Sequence, residues 1–250
     1  MVNEVSKMKP IIGIPLRYNT LKDDRPIVYM AERVRRTIQK AGGVVYAISP
    51  VQDVNYINTR TCEFLELSDE EKNDIEYELN LCDGLLFPGG IKFTPYDRYL
   101  LERAIEKQIP VLGICLGMQL MSCYDEEINL NDVDTGVNHF QDSDDGFTHN
   151  VKINKNSKLY EIIGKEEIMV NSFHKRCASP NQKYNIVAYS DDGIIEAIEY
   201  PGDIFNIGVQ WHPEISYDFD DNSKRIIDAF IEASCIRKKM KDTKIGACNV

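Results

Sequence analysis

Long apolar runs are missing from this chain. Nothing in its 250 residues approaches the roughly 20 consecutive apolar residues that cross a bilayer, so no membrane-spanning helix is expected. The first nine residues are polar and lack the apolar stretch of a secretory signal. Metal-type cysteine spacing is missing too. The seven cysteines (62, 82, 115, 123, 177, 235 and 248) include no C-x-x-C pair, and an odd, scattered set fits reduced thiols in the cytoplasm. Cys248 is third from the end, which misses the prenylation position. Excess positive charge is also absent: 29 basic against 40 acidic side chains leave a net charge of −11, which disfavours nucleic acid and anionic membrane surfaces as partners. Histidine is scarce, with four residues, so each one can be weighed singly. The apolar share of 43% and charged share of 28% are ordinary for a globular protein large enough to bury a full core.

The first half alternates strand and helix. Strands are expected at 11–14, 44–48, 84–87 and 109–114, with helices at 30–41, from Ser68 onward and at 96–107. Ser68 followed by Glu71 has the pattern of a capping box. Such alternation predicts an α/β fold with an open, mostly parallel twisted sheet and helices on both faces. In the second half, short β-like runs at 149–153, 168–170, 184–189, 194–200 and 205–209 are separated by turn signals such as Asp192-Gly193 and Pro201-Gly202, which predicts a small antiparallel section. A last helix is expected over 222–238. Residues 9–238 are expected to form one domain, followed by a polar, disordered tail at 239–250. The acidic stretch 125–145 reads as a loop near the active face, and Asp142, Asp144 and Asp145 as solvated acids without the EF-hand pattern.

Chemistry concentrates in two places. Gly113-Ile114-Cys115-Leu116-Gly117 follows an apolar strand and precedes the apolar Met118-Gln119-Leu120-Met121, which reads as strand, sharp turn, helix with a thiol at the turn. That placement puts Cys115 at a helix N-terminus, where the helix dipole favours negative charge. A thiol nucleophile needs a base and a group that orients the base. His212 ends the strand Gly208-Val209-Gln210-Trp211, at the carboxyl edge where open α/β sheets bind ligands, and Glu214 stands two residues on. The intervening Pro213 favours an extended or turn geometry that lets Glu214 fold back on the imidazole. The oxyanion of acyl transfer needs N–H donors. Leu116, after the nucleophile, and Gly90, in the strand-ending Pro88-Gly89-Gly90, are the candidates.

The blocks Phe87-Pro88-Gly89-Gly90, Gly113 to Leu120 and Gly208 to Glu214 resemble, in order, the three signature blocks of class I glutamine amidotransferases. The resemblance implies a flavodoxin-like domain and hydrolysis of a γ-glutamyl amide through a γ-glutamyl thioester on Cys115. It also implies a triad of Cys115, His212 and Glu214, no cofactor and no metal, and a substrate-holding role for Gln119. A fourth block, Val170-Asn171-Ser172-Phe173-His174 with Asp192 to Glu199, resembles the γ-glutamyl hydrolase branch, peptidase family C26, which includes γ-glutamyl-γ-aminobutyrate hydrolases. It adds Ser172, Phe173 and His174 as substrate-binding candidates. The chain differs from that branch on the leaving-group side, with Leu116 where Arg usually follows the nucleophile and with a short 91–96 segment.

Three functions compete on this reading. The first is a stand-alone γ-glutamyl hydrolase acting on a small γ-glutamyl compound or glutamine. The second is a glutaminase subunit that delivers ammonia to a separate synthase, and the third is a non-catalytic binding protein on the same scaffold. A synthase partner or a homodimer is compatible with the sequence. The bland readings are structural: His139 and His149 as loop and strand-edge residues, Trp211 and Cys123 as packing, and the basic tail as a solvated end.

Overall fold

Two apolar cores, one on each face of a single sheet, organise the molecule. A computed structural model describes residues 9–51, 66–123, 130–144, 146–180 and 182–248. The chain opens with β1 (Ile11–Pro15), the hairpin β2 (Arg17–Thr20) and β3 (Pro26–Tyr29), α1 (Glu32–Lys40) and β4 (Val44–Ile48). There follow α2 (Asp69–Leu81), β5 (Gly84–Phe87), α3 (Pro95–Glu106), β6 (Val111–Ile114) and α4 (Leu116–Ser122). The second half contains β7 (Leu130–Asp132), β8 (His149–Ile153), α5 (Lys158–Ile163), β9 (Glu167–Val170), β10 (Arg176–Ala178), β11 (Asn185–Ser190), β12 (Ile195–Glu199), β13 (Asn206–Val209), α6 (Pro213–Ser216) and α7 (Asp221–Cys248).

Nine strands form one sheet in the order β4-β1-β5-β6-β13-β12-β11-β8-β9. From β4 to β13 the neighbours are parallel, and from β13 to β9 they are antiparallel. The fold class is therefore the open α/β sheet that the alternation implied, with its antiparallel section continuing the same sheet. Side chains alternate between faces along each strand. Ile12, Ile14, Leu86 and Leu112 pack against Val34 and Ile38 of α1, Leu159 and Ile163 of α5, and Ile226, Ile227 and Phe230 of α7. Leu85, Phe87 and Val111 face the other way, onto Ile75 and Leu79 of α2, Leu100, Leu101 and Ala104 of α3, and Met118 and Met121 of α4. Burying each such side chain contributes about 1.5–3 kcal/mol, which is what fixes the helices to the two faces.

The Ser68 capping box forms as expected. Glu71 donates its backbone N–H to Ser68 Oγ at 3.2 Å, and Ser68 donates its own to Glu71 Oε2 at 2.7 Å. Elsewhere the structure corrects the reading. The 125–145 stretch is not wholly loop, because β7 pairs with β10, although 124–129 and Asp145 lie outside the described residues. Asp144 is not merely solvated, since it pairs with Arg33. The last helix does not end near 238, because α7 continues to Cys248 with no proline to stop it. Part of the basic tail is tied down: Lys238 Nζ is 3.4 Å and Lys241 Nζ 3.8 Å from the buried Asp83 carboxylate.

Candidate active site

The parallel strands β5, β6 and β13 lie side by side in register, Phe87 beside Gly113 and Val209 beside Ile114. Their carboxyl ends therefore deliver Pro88-Gly89-Gly90, Cys115 and Trp211-His212 to one edge. Cys115 holds the turn between β6 and α4 with φ 51° and ψ −103°, a positive-φ conformation for a non-glycine residue. Such a conformation costs on the order of 1–3 kcal/mol and persists only where its surroundings enforce it. Here the Cys115 N–H donates to Val209 O at 2.8 Å, and Gln119 N–H donates to Cys115 O at 3.0 Å. Glycine at 117 is demanded by close approach: a Cβ there would stand 2.1 Å from Phe87 O. The same holds at Gly89, where a Cβ would lie 2.9 Å from His212 Cε1 and 3.6 Å from Cys115 Cβ. The glycine strand end thus passes directly over the thiol and imidazole.

His212 Nδ1 is 2.7 Å from Glu214 Oε1, and both residues are largely buried. Burial by itself would lower the imidazole's pKa. The adjacent Glu214 carboxylate and the Cys115 thiol outweigh it and raise the pKa well above the usual histidine value. Pro213 supplies a turn, as expected, and that turn is helical. His212 stands just outside the helix with φ −113° and ψ 81°, while Pro213 starts α6, whose first turn brings Glu214 back to the ring. The Glu214 carbonyl accepts from Thr37 Oγ1 of α1 at 3.1 Å.

Two positioning residues are not legible from the motifs. Asn171 grips the His212 backbone from both sides, with its Nδ2 donating to His212 O at 2.9 Å and its Oδ1 accepting from His212 N at 2.8 Å. It lies within the 170–174 block, where a buried amide is the available signal. Arg17 is almost fully enclosed. Its Nη1 reaches both oxygens of the buried Asp97 at 2.8 and 2.6 Å, and its Nη2 donates to Pro88 O at 3.2 Å. Asp97 also accepts the Thr94 N–H at 2.8 Å, which caps α3. Nothing local in the sequence links Arg17 to a partner eighty residues away.

A cleft of about 250 Å³ opens beside Cys115, lined by Gly90, Leu116, Gln119, Phe173, His174 and neighbours. Leu116 is the first residue of α4, so its N–H has no intrahelical acceptor. Gln119 is held by hydrogen bonds from Nε2 to Arg176 O at 2.8 Å and Gln210 Oε1 at 3.1 Å. The Phe173 ring meets His212 edge-on with centroids 5.5 Å apart. Ser172 does not line this cleft. It is wholly buried, and its hydroxyl donates to His139 O at 2.8 Å. His139 lies in a loop and His149 opens β8, as expected, but both are buried beside His174 rather than solvated. Trp211 packs in the core beside the site, as expected. Among the described residues, no helix is long and apolar enough to cross a membrane.

The family model of peptidase C26 matches residues 92–214, which include Cys115, His212 and Glu214. The glutamine amidotransferase-like protein YvdE of Lactococcus lactis is 28% identical over 64% of this chain and 78% of its own length. The glutamine amidotransferase-like protein RP404 of Rickettsia prowazekii is 27% identical over 91% of this chain and 99% of its own. Among solved structures, a glutamine amidotransferase from Thermotoga maritima superposes with a TM-score of 0.53 at 14% identity, over 92% of this chain and 98% of that one. The last similarity speaks to the fold, which is that of class I amidotransferase domains. Motif, fold and relatives together support the class I glutamine amidotransferase superfamily and, within it, the peptidase C26 family.

Proposed function

We propose that this protein hydrolyses a γ-glutamyl amide, glutamine or a small γ-glutamyl compound, through a thioester on Cys115. The observation that carries this reading is the arrangement at the sheet edge: a strained-turn thiol, and an imidazole whose far nitrogen is held by a carboxylate at 2.7 Å. With Nδ1–H donated to Glu214, His212 Nε2 is the nitrogen left to take the thiol proton. The Cys115 sulfur attacks the γ-carbonyl carbon. The resulting oxyanion is received by the N–H groups of Leu116 and Gly90. His212 then gives its proton to the departing nitrogen, and the C–N bond breaks to leave the thioester. Water, deprotonated by His212, attacks the thioester carbonyl, and the thiol is restored as glutamate leaves. Glu214 keeps the tautomer and stabilises the imidazolium throughout. Gln119, Phe173 and His174 border the space where the glutamyl group would sit.

The test is glutamate release from a panel of γ-glutamyl amides and glutamine by the purified protein, with Cys115→Ala as control. Turnover of at least one compound, lost in the variant, is the expected result. No turnover, with Cys115 still alkylated by a glutamine-like diazo-ketone, would refute the stand-alone hydrolase and favour a subunit that delivers ammonia. Failure of Cys115 to react at all would favour a binding protein on this scaffold.

A further inference from the structure

Three of the four histidines gather away from the catalytic imidazole. His139 precedes the bridge at Phe140, His149 opens β8, His174 lies in the strap between Asn171 and Arg176, and Glu196 belongs to β12. All four are buried, with Glu196 at 0% exposure. One ligand-capable atom from each lies within 4.8 Å of every other.

The outward hydrogen bonds fix which nitrogen of each ring points inward. His174 Nδ1 is 3.0 Å from Arg176 O, and His149 Nδ1 is 3.2 Å from Asn150 O. A carbonyl oxygen only accepts, so both Nδ1 atoms carry the proton. His139 Nε2 is 3.0 Å from Asp192 Oδ2, which likewise accepts. In a neutral imidazole the other nitrogen then has only a lone pair to offer. His139 Nδ1, His149 Nε2 and His174 Nε2 thus turn lone pairs toward one another and toward a carboxylate. With both rings neutral, His139 Nδ1 and His174 Nε2, 3.1 Å apart, have no proton to share between them. Glu196 Oε1 is 3.4 Å from His139 Nδ1 and 3.6 Å from both His149 Nε2 and His174 Nε2. Among the described residues, neither oxygen of Glu196 has a partner in good hydrogen-bond geometry, and neither does His149 Nε2. Four electron donors facing each other in a dry interior are costly unless positive charge sits among them.

The spacing identifies that charge. Ligand atoms about 2.0–2.1 Å from a tetrahedral metal stand about 3.3–3.4 Å from each other. Four of the six separations run from 3.1 to 3.6 Å, and the ligand-capable atoms of all four residues lie within 4.8 Å of one another. Behind each imidazole stands a carbonyl or carboxylate, the arrangement that orients metal-bound histidine. We propose that this protein holds a divalent transition-metal ion, zinc by preference, ligated by His139 Nδ1, His149 Nε2, His174 Nε2 and Glu196 Oε1. Imidazole with one carboxylate suits zinc, cobalt or nickel over magnesium or calcium. Four protein ligands, all buried, make a closed site, which is the structural rather than the hydrolytic form. A +2 ion with Glu196 leaves one positive charge, and Asp192 behind His139 balances it. The ion would fasten the 171–176 strap to β8 and β12. That strap carries Asn171, which grips His212, and Phe173, which packs on it.

The experiment is elemental analysis of the purified full chain, followed by removal of metal with dipicolinate and reloading with Co²⁺. About one ion per chain is expected, together with the intense visible bands of four-coordinate cobalt, and zinc should displace the cobalt. Glu196→Gln and His149→Gln should each lose both signals, while Cys115→Ala should keep them. The melting temperature of the parent should fall on chelation and recover with Zn²⁺, a readout that stands even if the ligand variants do not fold. A parent that neither retains nor takes up Zn²⁺ or Co²⁺ would overturn the proposal and leave protonated histidines as the positive charge. Uptake unchanged in both ligand variants would overturn it as well. None of these readouts depends on turnover, so failure here is separable from failure of the hydrolase reading.

Discussion

Replacing Glu214 by Gln isolates the orienting role of the carboxylate with almost no change of shape. In the parent, Glu214 Oε1 lies 2.7 Å from His212 Nδ1 in a nearly buried setting. A charge-assisted hydrogen bond of this kind is worth about 1.5–3 kcal/mol. Charges about 4 Å apart at an effective dielectric near 20 attract by about 4 kcal/mol, which overlaps with that figure and is not added to it. A loss of about 3–4 kcal/mol in the transition state lowers kcat by about 10²–10³-fold. The Gln amide can also donate to Nδ1, which places the ring proton on Nε2, facing Cys115, where it cannot accept the thiol proton. Cys115→Ala, which removes the bond-forming atom, should leave less residual activity than Glu214→Gln. The pH profile gives a second reading. Glu214 helps raise the His212 pKa, so the thiol–imidazole pair keeps its proton to higher pH in the parent. Its loss should move the alkaline limb of kcat/KM to lower pH. The stability sign follows: a raised histidine pKa stabilises the fold below the unfolded value, and that contribution is lost as pH rises through the folded value. The stability deficit of Glu214→Gln should therefore be larger at about pH 6, below the unfolded histidine value, than at high pH. The assay is glutamate release against pH, with melting temperature as the check on folding. A kcat within about threefold of the parent, an alkaline limb that stays put, or a loss equal to that of Cys115→Ala would refute the role.

Arg17→Met leaves Asp97 buried without its guanidinium, so chemical denaturation should show a loss of about 3–5 kcal/mol, and the double variant with Asp97→Asn should recover part of it. Asn171→Leu strands a buried N–H and carbonyl on His212. Each should cost about 1–3 kcal/mol, and kcat should fall more than KM rises. Burial pushes the Cys82 thiol up to about 12 and also raises Cys177. Peptide mapping after brief iodoacetamide treatment near neutral pH should therefore find label on Cys115 and not on Cys82 or Cys177 until the chain is unfolded. Ser68→Ala removes one half of a capping box and should cost about 1 kcal/mol by thermal denaturation, with activity unchanged.

Much of this molecule is written locally. The strands at 44–48, 84–87 and 149–153 and the capped start of α2 follow from short-range patterns: apolar runs bounded by turn residues, and a Ser with a Glu three positions on. Cys115 at its elbow, with His212 and Glu214 after a strand, can be picked out because each block carries its own backbone requirement. The hairpin β2–β3, α5 and the pairing of β7 with β10 are not legible in this way, since their short segments depend on partners rather than periodicity. The continuation of α7 is hidden for the same reason, because Lys238 and Lys241 find Asp83 only after the sheet has formed.

The sequence by itself determined the alternating α/β order and which residues could do chemistry, because strand and helix periods, tight turns and nucleophile spacing are properties of neighbouring residues. Only the tertiary structure decided who meets whom. Parallel register across β5, β6 and β13 set the glycine strand end over Cys115 and His212. Burial drove Arg17 onto Asp97, Asn171 onto the His212 backbone, and three histidines onto Glu196, since polar groups removed from water must find partners wherever the folded chain brings them.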